Sequence, residues 1–392
     1  MGRIYAESEL VIIAAAGSTS HYGLPGVSTR PREAQRAIEL DTDVQIIEIP
    51  DSVRQLDKSV WATRGWTHQE GYLAKRRLIF TDSEVSYVCD HGVWKESVQR
   101  PDIDDHDFHM KNNYPGWPLH SDSRFKYRSR VAHVLGNYSA RDLSYEGDIL
   151  SACTGTLEKL VNLHFWGTVG RVSASPFDTE LSLEWRSVPR PGQKRTNFPS
   201  WSWVATTGPK LIQVNTHRND RSFVAEILTT DGRWLTSENQ IESRYDPLPE
   251  GSGPTLRLTG SFYTASLMSG KLPKLGEERE ERPLVVLQYT GSTGDETELV
   301  FQLWLDTGLT DAVLPDTVKA VPLYGIHGVE RAWNCGSSPA FVVLQAVGDH
   351  YRRIGATDRS CSIRSKKTGL SRQMRPGDVI PRPGDEETIY IE

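Results

Sequence analysis

Trp61-Ala-Thr-Arg-Gly-Trp-Thr-His-Gln-Glu70, running into Gly71-Tyr-Leu-Ala-Lys-Arg-Arg-Leu-Ile-Phe80, is the stretch on which the reading of this chain turns. A threonine followed three residues later by a glutamate is the pattern of a capping box. In it the Thr67 hydroxyl takes the Glu70 amide and the Glu70 carboxylate reaches back to the cap. The pattern predicts a short helix from His68 to about Lys75. The β-branched and aromatic runs that follow predict strands near Arg77–Phe80 and Val85–Cys89.

Toward the N-terminus, Ile4 to Ala16 reads as a helix end and then a buried strand at Leu10-Val-Ile-Ile13. Gly17, Gly23, Pro25, Gly26 and Pro31 punctuate a loop over 17–36. Val44-Gln-Ile-Ile-Glu-Ile49 reads as a second strand that Pro50 stops. Toward the C-terminus, Arg124–Tyr138 is amphipathic, with Val131, Val134, Leu135 and Tyr138 on one face. Ser144 is placed as the cap of a second helix carrying Ile149, Ala152, Cys153, Leu157 and Leu160 at helical spacing. Beyond residue 195, short β-branched runs at Thr255–Leu258, Pro283–Tyr289, Leu299–Leu305 and Ala340–Gln345 alternate with Gly- and Pro-rich loops, the pattern of a mostly antiparallel β region. Three segments are expected: 1–92, 93–195 (linker and helical) and 196–392 (β-rich).

The 392 residues are 37% apolar, include 11 Trp and carry a net charge of −6. That is enough apolar material for folded cores, and it supplies no overall field toward nucleic acid or an anionic membrane. The longest apolar run, Leu10 to Ala16, is far short of the ~20 residues a bilayer span needs. It follows Glu7 and Glu9 rather than the basic start of a signal peptide, so a cytoplasmic location is expected. Cys89, Cys153, Cys335 and Cys361 lack metal-knuckle spacing and are expected to be reduced.

Arg64-Gly-Trp-Thr-x-Gln-Glu70, then Leu73, Arg76 or Arg77, Leu78 and Phe80, resembles the closing block of the fungal heterokaryon-incompatibility (HET) domain, whose pattern is R-x-W-T-x-Q-E-x-x-L-x-x-R. Ile4-Tyr5 and Gly23-Leu-Pro-Gly26 are similar to the segment before that block. Tyr138-Ser-x-Arg141-x-Leu-Ser-Tyr145-x-x-Asp148-x-Leu150, Pro199-Ser-Trp-Ser-Trp203 and Tyr351-Arg-Arg-Ile-Gly355 look like later landmarks of such proteins. The family's earlier blocks, A-L-S-Y-x-W-G and W-I-D-x-x-C-I-N-Q, are expected before Ile4, so the chain is expected to start inside the domain.

The resemblance implies a Rossmann- or TIR-like α/β remnant, then a helical middle and the β-rich region. It implies a role in fungal nonself recognition and programmed cell death signalling, through a protein partner or self-association and without enzymatic activity in this chain. Two alternatives remain open: a TIR-like NAD glycohydrolase when the domain is complete, or an inactive degenerate paralogue. NAD is then a candidate substrate; no resident cofactor is expected. By the TIR analogy Glu70 is the candidate catalytic carboxylate, although the capping box already accounts for it. Arg64, Trp66, Thr67 and Gln69 are the remaining motif candidates; Arg64, Trp66 and Gln69 could line a nucleotide pocket, or instead anchor the loop with a buried Trp and an Arg64–carboxylate pair.

Asp102-x-Asp-Asp-His-Asp-x-x-His109 offers oxygen and imidazole ligands but lacks the glycine and closing glutamate of a calcium loop, so it reads as a solvated acidic loop and no metal is expected. Arg359 to Arg375 holds six basic residues and no acid or aromatic; it reads as a solvated loop rather than a nucleic-acid patch.

Overall fold

A computed structural model describes residues 1–27, 29–41, 44–89, 92–97, 124–160, 163–165, 168–171, 183–195, 198–212, 223–228, 232, 234–236, 255–270, 282–290, 296–308, 314–323, 340–373 and 383–392. The chain divides into two compact units, Met1–Arg130 with Ala140–Leu160 and Val131–Ser139 with Val161–Glu392.

The first unit contains α1 (Gly2–Glu7), β1 (Val11–Ala14), β2 (Ala37–Asp41), β3 (Val44–Ile47), the short helices α2 (Ser52–Asp57), α3 (Val60–Thr63) and α4 (Thr67–Leu73), and strands β4 (Arg76–Phe80), β5 (Val85–Cys89) and β6 (Gly92–Lys95). Its sheet has the order β1-β4-β5-β6; β1 and β4 are parallel and the other pairs antiparallel. A parallel pair needs a long crossover, and α2 to α4 lie on it. Asp51 Oδ1 accepts from the Arg54 amide to cap α2, and Ser59 Oγ accepts from the Ala62 amide to cap α3, both at 3.1 Å. One sheet face buries Ile13, Ile79, Val88 and Val93 against Leu56 and Trp61. Each aliphatic side chain so buried contributes about 1.5–3 kcal/mol.

The strand expected at Val44–Ile49 ends at Ile47 and turns back on β2 instead of joining the sheet. Ile38, Leu40, Val44 and Ile46 are left exposed on this hairpin. β-branching marks a strand but not its partner, which is why the sequence was silent on the pairing.

In the middle of the chain, α5 (Arg124–Ser139) and α6 (Thr154–Leu160) are helical, but Ser144 caps nothing. A 3-10 turn, Glu146–Ile149, with Tyr145 at its N-cap position, precedes α6 as a separate element. The predicted burial still holds: Ile149, Ala152, Cys153, Leu157 and Leu160 are all buried. The middle also carries three short strands, β7 (Leu163–Phe165), β8 (Thr168–Arg171) and β9 (Trp185–Ser187).

The second unit is β-rich. It comprises β10 (Lys210–Ile212), β11 (Phe223–Leu228), β12 (Trp234–Thr236), β13 (Leu256–Ser261), β14 (Tyr263–Gly270), β15 (Arg282–Thr290), β16 (Glu296–Leu305), β17 (Thr317–Pro322), β18 (Phe341–Val347), β19 (His350–Ser365), β20 (Ser371–Gln373) and β21 (Glu386–Ile391). β18 pairs with both β17 and β19, so β19-β16-β15-β14-β17-β18 closes on itself as a six-stranded barrel. Closure removes the open edges a flat sheet would leave. The barrel interior holds Val285, Leu299, Phe301, Leu303, Phe341 and Val343, among others. A second core, with Trp201, Ile227, Leu258, Val342 and Ile389, lies where β11, β13 and β21 extend the sheet. β19 serves both parts because it bends: its partners shift register at Phe301/Leu303 and Val343/Leu344. Gly355 sits at this bend, where a Cβ would lie 2.3 Å from the Trp304 carbonyl oxygen. Of the basic stretch expected to be a loop, residues 359–373 are the end of β19, a turn and β20. The pairing partner of β20 is its own neighbour in sequence, and a short polar hairpin carries little apolar signal.

Candidate functional site

The 61–70 block is assembled by α3 and α4, and the segment after α5 locks onto it within the first unit. The Gly65 amide donates to the Asp142 carbonyl (2.7 Å), and the Asp142 amide donates to Thr63 (2.6 Å). A Cβ on Gly65 would lie 2.4 Å from Leu143 Cδ2. Glycine is required there by this close approach. Arg141 donates to the Arg64 carbonyl and to Thr67 Oγ1, each at 3.0 Å, and stands 5.7 Å from the Trp61 ring centroid. Trp66 Nε1 donates to Asp148 Oδ2 (3.3 Å), and Gln69 Nε2 donates to the Ser151 carbonyl (3.1 Å). The His68 ring pairs with Thr156 Oγ1 at 3.2 Å and stacks on Tyr72. Within the first unit, the 64–70 block and the 141–150 part of the second block, named separately from the sequence, thus form one structure.

The capping box is not formed. Thr67 is the first residue of α4 rather than its cap, and no side chain caps this helix. The Thr67 hydroxyl instead turns back to the carbonyls of Trp61 and Arg64. Glu70 points away from the helix start: Tyr5 Oη donates to its Oε1 (3.1 Å) and Trp61 Nε1 to its Oε2 (3.0 Å). A hydroxyl and an indole N–H thus take both carboxylate oxygens in a half-buried position, where such charge-assisted bonds are strong. Burial and the adjacent Glu70 charge raise the Tyr5 pKa above its ordinary value. Trp66, expected as the buried anchor, is only half-buried, and the buried Trp of the block is Trp61. Arg64 is exposed, and among the described residues it makes no carboxylate pair; its carbonyl is the group in use.

Gln69 is almost fully buried, and its Oε1 has no hydrogen-bond partner among the described residues. Gly155 packs against it so closely that a Cβ there would meet Gln69 Oε1 at 2.5 Å and Gly2 Cα at 2.9 Å. α1 and α6 therefore meet glycine against glycine, with the Gln69 side chain of α4 pressed beside them. A cleft of about 410 Å³ also opens in this unit, lined by Glu33, Arg36, Glu48, Asp51, Arg54 and Lys58 among others, and none of residues 61–70 lines it.

In the second unit, the landmarks 199–203 and 351–355 also converge. The Arg353 guanidinium donates to Asp306 Oδ2 (2.8 Å), the Leu183 carbonyl (2.6 Å) and the Trp185 carbonyl, and lies 3.7 Å from the Trp185 ring centroid. Trp185 Nε1 donates to the Trp201 carbonyl (3.0 Å), and the Arg353 amide donates to Ser200 Oγ (3.1 Å). Burial raises the Asp306 pKa and lowers that of Arg353, and each charge opposes the shift in the other. Lys210, buried nearby, donates to the Thr207 and Gly208 carbonyls (2.6 and 2.9 Å). Desolvation lowers its pKa to about 7. Sequence spacing gave no signal for this cluster, because its members are scattered from Leu183 to Arg353.

The acidic stretch 102–109 lies outside the described residues. In the basic stretch, Arg364 pairs with Glu298 and Lys366 with Glu296, so these charges are spent on cross-strand pairs. Cys89, Cys153 and Cys361 are buried free thiols. Among the described residues no helix is long and apolar enough to cross a membrane.

Residues 1–70 match the family model of the heterokaryon incompatibility protein (HET). No curated protein and no solved structure matches the chain.

Proposed function

We propose that this chain acts in fungal nonself recognition and cell-death signalling through protein contacts made by its HET portion, not through catalysis at Glu70. The observation that carries the reading is the state of Glu70: both carboxylate oxygens are engaged by Tyr5 and Trp61. A glycosidase carboxylate must face an open substrate pocket, and a cleft of about 410 Å³ in this unit is lined by other residues. The Rossmann/TIR-like reading of the sheet is supported by the parallel β1–β4 pair and its helical crossover. Glu70 is then a tie that fixes α1 and α3 to α4.

The test is expression in a fungal host with cell survival as readout. Glu70→Gln preserves both bonds, its carbonyl oxygen facing Trp61 and its amide facing the Tyr5 oxygen. Death caused equally by the native chain and Glu70→Gln supports the reading. A native chain that causes no death, or a Glu70→Gln change that abolishes death at unchanged thermal stability, would sink it.

A further inference from the structure

We infer that the free edge of β1 is a self-association edge, at which two copies pair β1 with β1 antiparallel about a twofold axis near Ile12; this rests on the reading that the unit works through protein contacts. β1 is the terminal strand of its sheet, bonded to β4 on one side, and among the described residues no strand pairs with its other side. An unprotected edge strand is a template for another chain, and proteins that stay monomeric blunt such edges with charge, proline or cover. Here Leu10 to Ala16 carries no charge and no proline.

The face beside that edge is apolar as well. Ile12, Leu78, Tyr87 and Trp94 are successive register partners across all four strands. Ile12 is 56% exposed and Trp94 50%, and the Tyr87 and Trp94 rings lie 5.5 Å apart. Such a cross-strand row, open to water and rich in aromatics, has the composition of an interface core.

The strand is complementary to itself, which selects a second copy as the occupant. Antiparallel pairing centred on Ile12 sets Leu10 against Ala14 and Val11 against Ile13 of the other copy. Opposed residues then share a face, with Leu10, Ile12 and Ala14 outward and Val11 and Ile13 toward the core, so both faces continue across the axis. A bulky Leu10 meets a small Ala14. The same arrangement carries Glu9, which pairs with Arg76 at 3.0 Å, toward the alanine end of its partner. The product is an isologous eight-stranded sheet with the apolar row doubled. A short edge pairing of this kind gives a dimer of roughly micromolar dissociation constant.

The full chain is examined by sedimentation equilibrium from about 1 to 100 μM, a range that brackets such a constant. The native protein is expected to pass from monomer to dimer. Ile12→Lys, at an exposed position, is expected to stay monomeric with an unchanged circular dichroism spectrum. Ile12→Cys is expected to give a disulfide-linked dimer on mild oxidation, which the native chain does not. A native chain that is monomeric throughout would overturn the inference and leave the edge to another protein. So would a dimer that ignores Ile12→Lys and forms without Ile12→Cys cross-linking. Failure of the functional proposal reads differently: an Ile12-dependent dimer that leaves cell survival unaltered.

Discussion

The indole N–H of Trp61 donates to one oxygen of Glu70 at 3.0 Å, and the Tyr5 hydroxyl occupies the other oxygen at 3.1 Å. Glu70→Ala would leave the Trp61 donor unpaired in a half-buried site, costing about 1–3 kcal/mol. Glu70→Gln, which re-pairs both groups, is expected to cost under about 1 kcal/mol. Urea unfolding of the two variants checks this ordering; equal losses would contradict the assigned bonds.

Thr67 provides a second check. Its hydroxyl bonds to the carbonyls of Trp61 and Arg64 and accepts from Arg141. Thr67→Ser retains a hydroxyl, whereas Thr67→Val keeps the shape without it. Valine is expected to destabilise by about 1–2 kcal/mol more than serine, measured by chemical denaturation.

Three glycines are fixed by what stands against them. Alanine at Gly155 would press on Gln69 and Gly2, at Gly65 on Leu143, and at Gly355 on the Trp304 carbonyl. Each substitution is expected to cost about 1–3 kcal/mol. Gly355→Ala is expected to be the most damaging, since its contact is backbone while Leu143 can swing aside. Thermal melts of the three variants test that order.

Lys210 makes stability depend on pH. Its folded pKa of about 7 lies below the ordinary value of 10.5. Between those values the unfolded chain binds the extra proton, so folding stability rises as pH increases and is flat with respect to this group below about 7. The full span is up to roughly 4–5 kcal/mol. Lys210→Met is expected to remove this rise between pH 7 and 9, as followed by urea midpoints; an undiminished rise would contradict the buried placement of Lys210.

Spacing revealed much of this structure. The β-branched runs marked β13 and three of the six barrel strands, β15, β16 and β18, and helical spacing marked the buried faces of α5 and α6, because burial follows periodicity directly. The capping box failed because its residues had better partners at Tyr5 and Trp61, which lie elsewhere in the chain. Barrel closure through β18 and β19 and the Arg353–Asp306 pair were not legible either, since long-range pairing leaves no local trace. Of the candidate site residues, Thr67, Gln69 and Glu70 bond to other segments of the first unit, contacts that the motif alone did not reveal.

The central claim is that Glu70 ties the fold and does not cleave a nicotinamide glycoside. The purified 392-residue chain incubated with NAD, with nicotinamide release followed beside Glu70→Gln, is the test. The account predicts release at the buffer background for both proteins. Release by the native chain, lost in Glu70→Gln at unchanged unfolding midpoint, would contradict it.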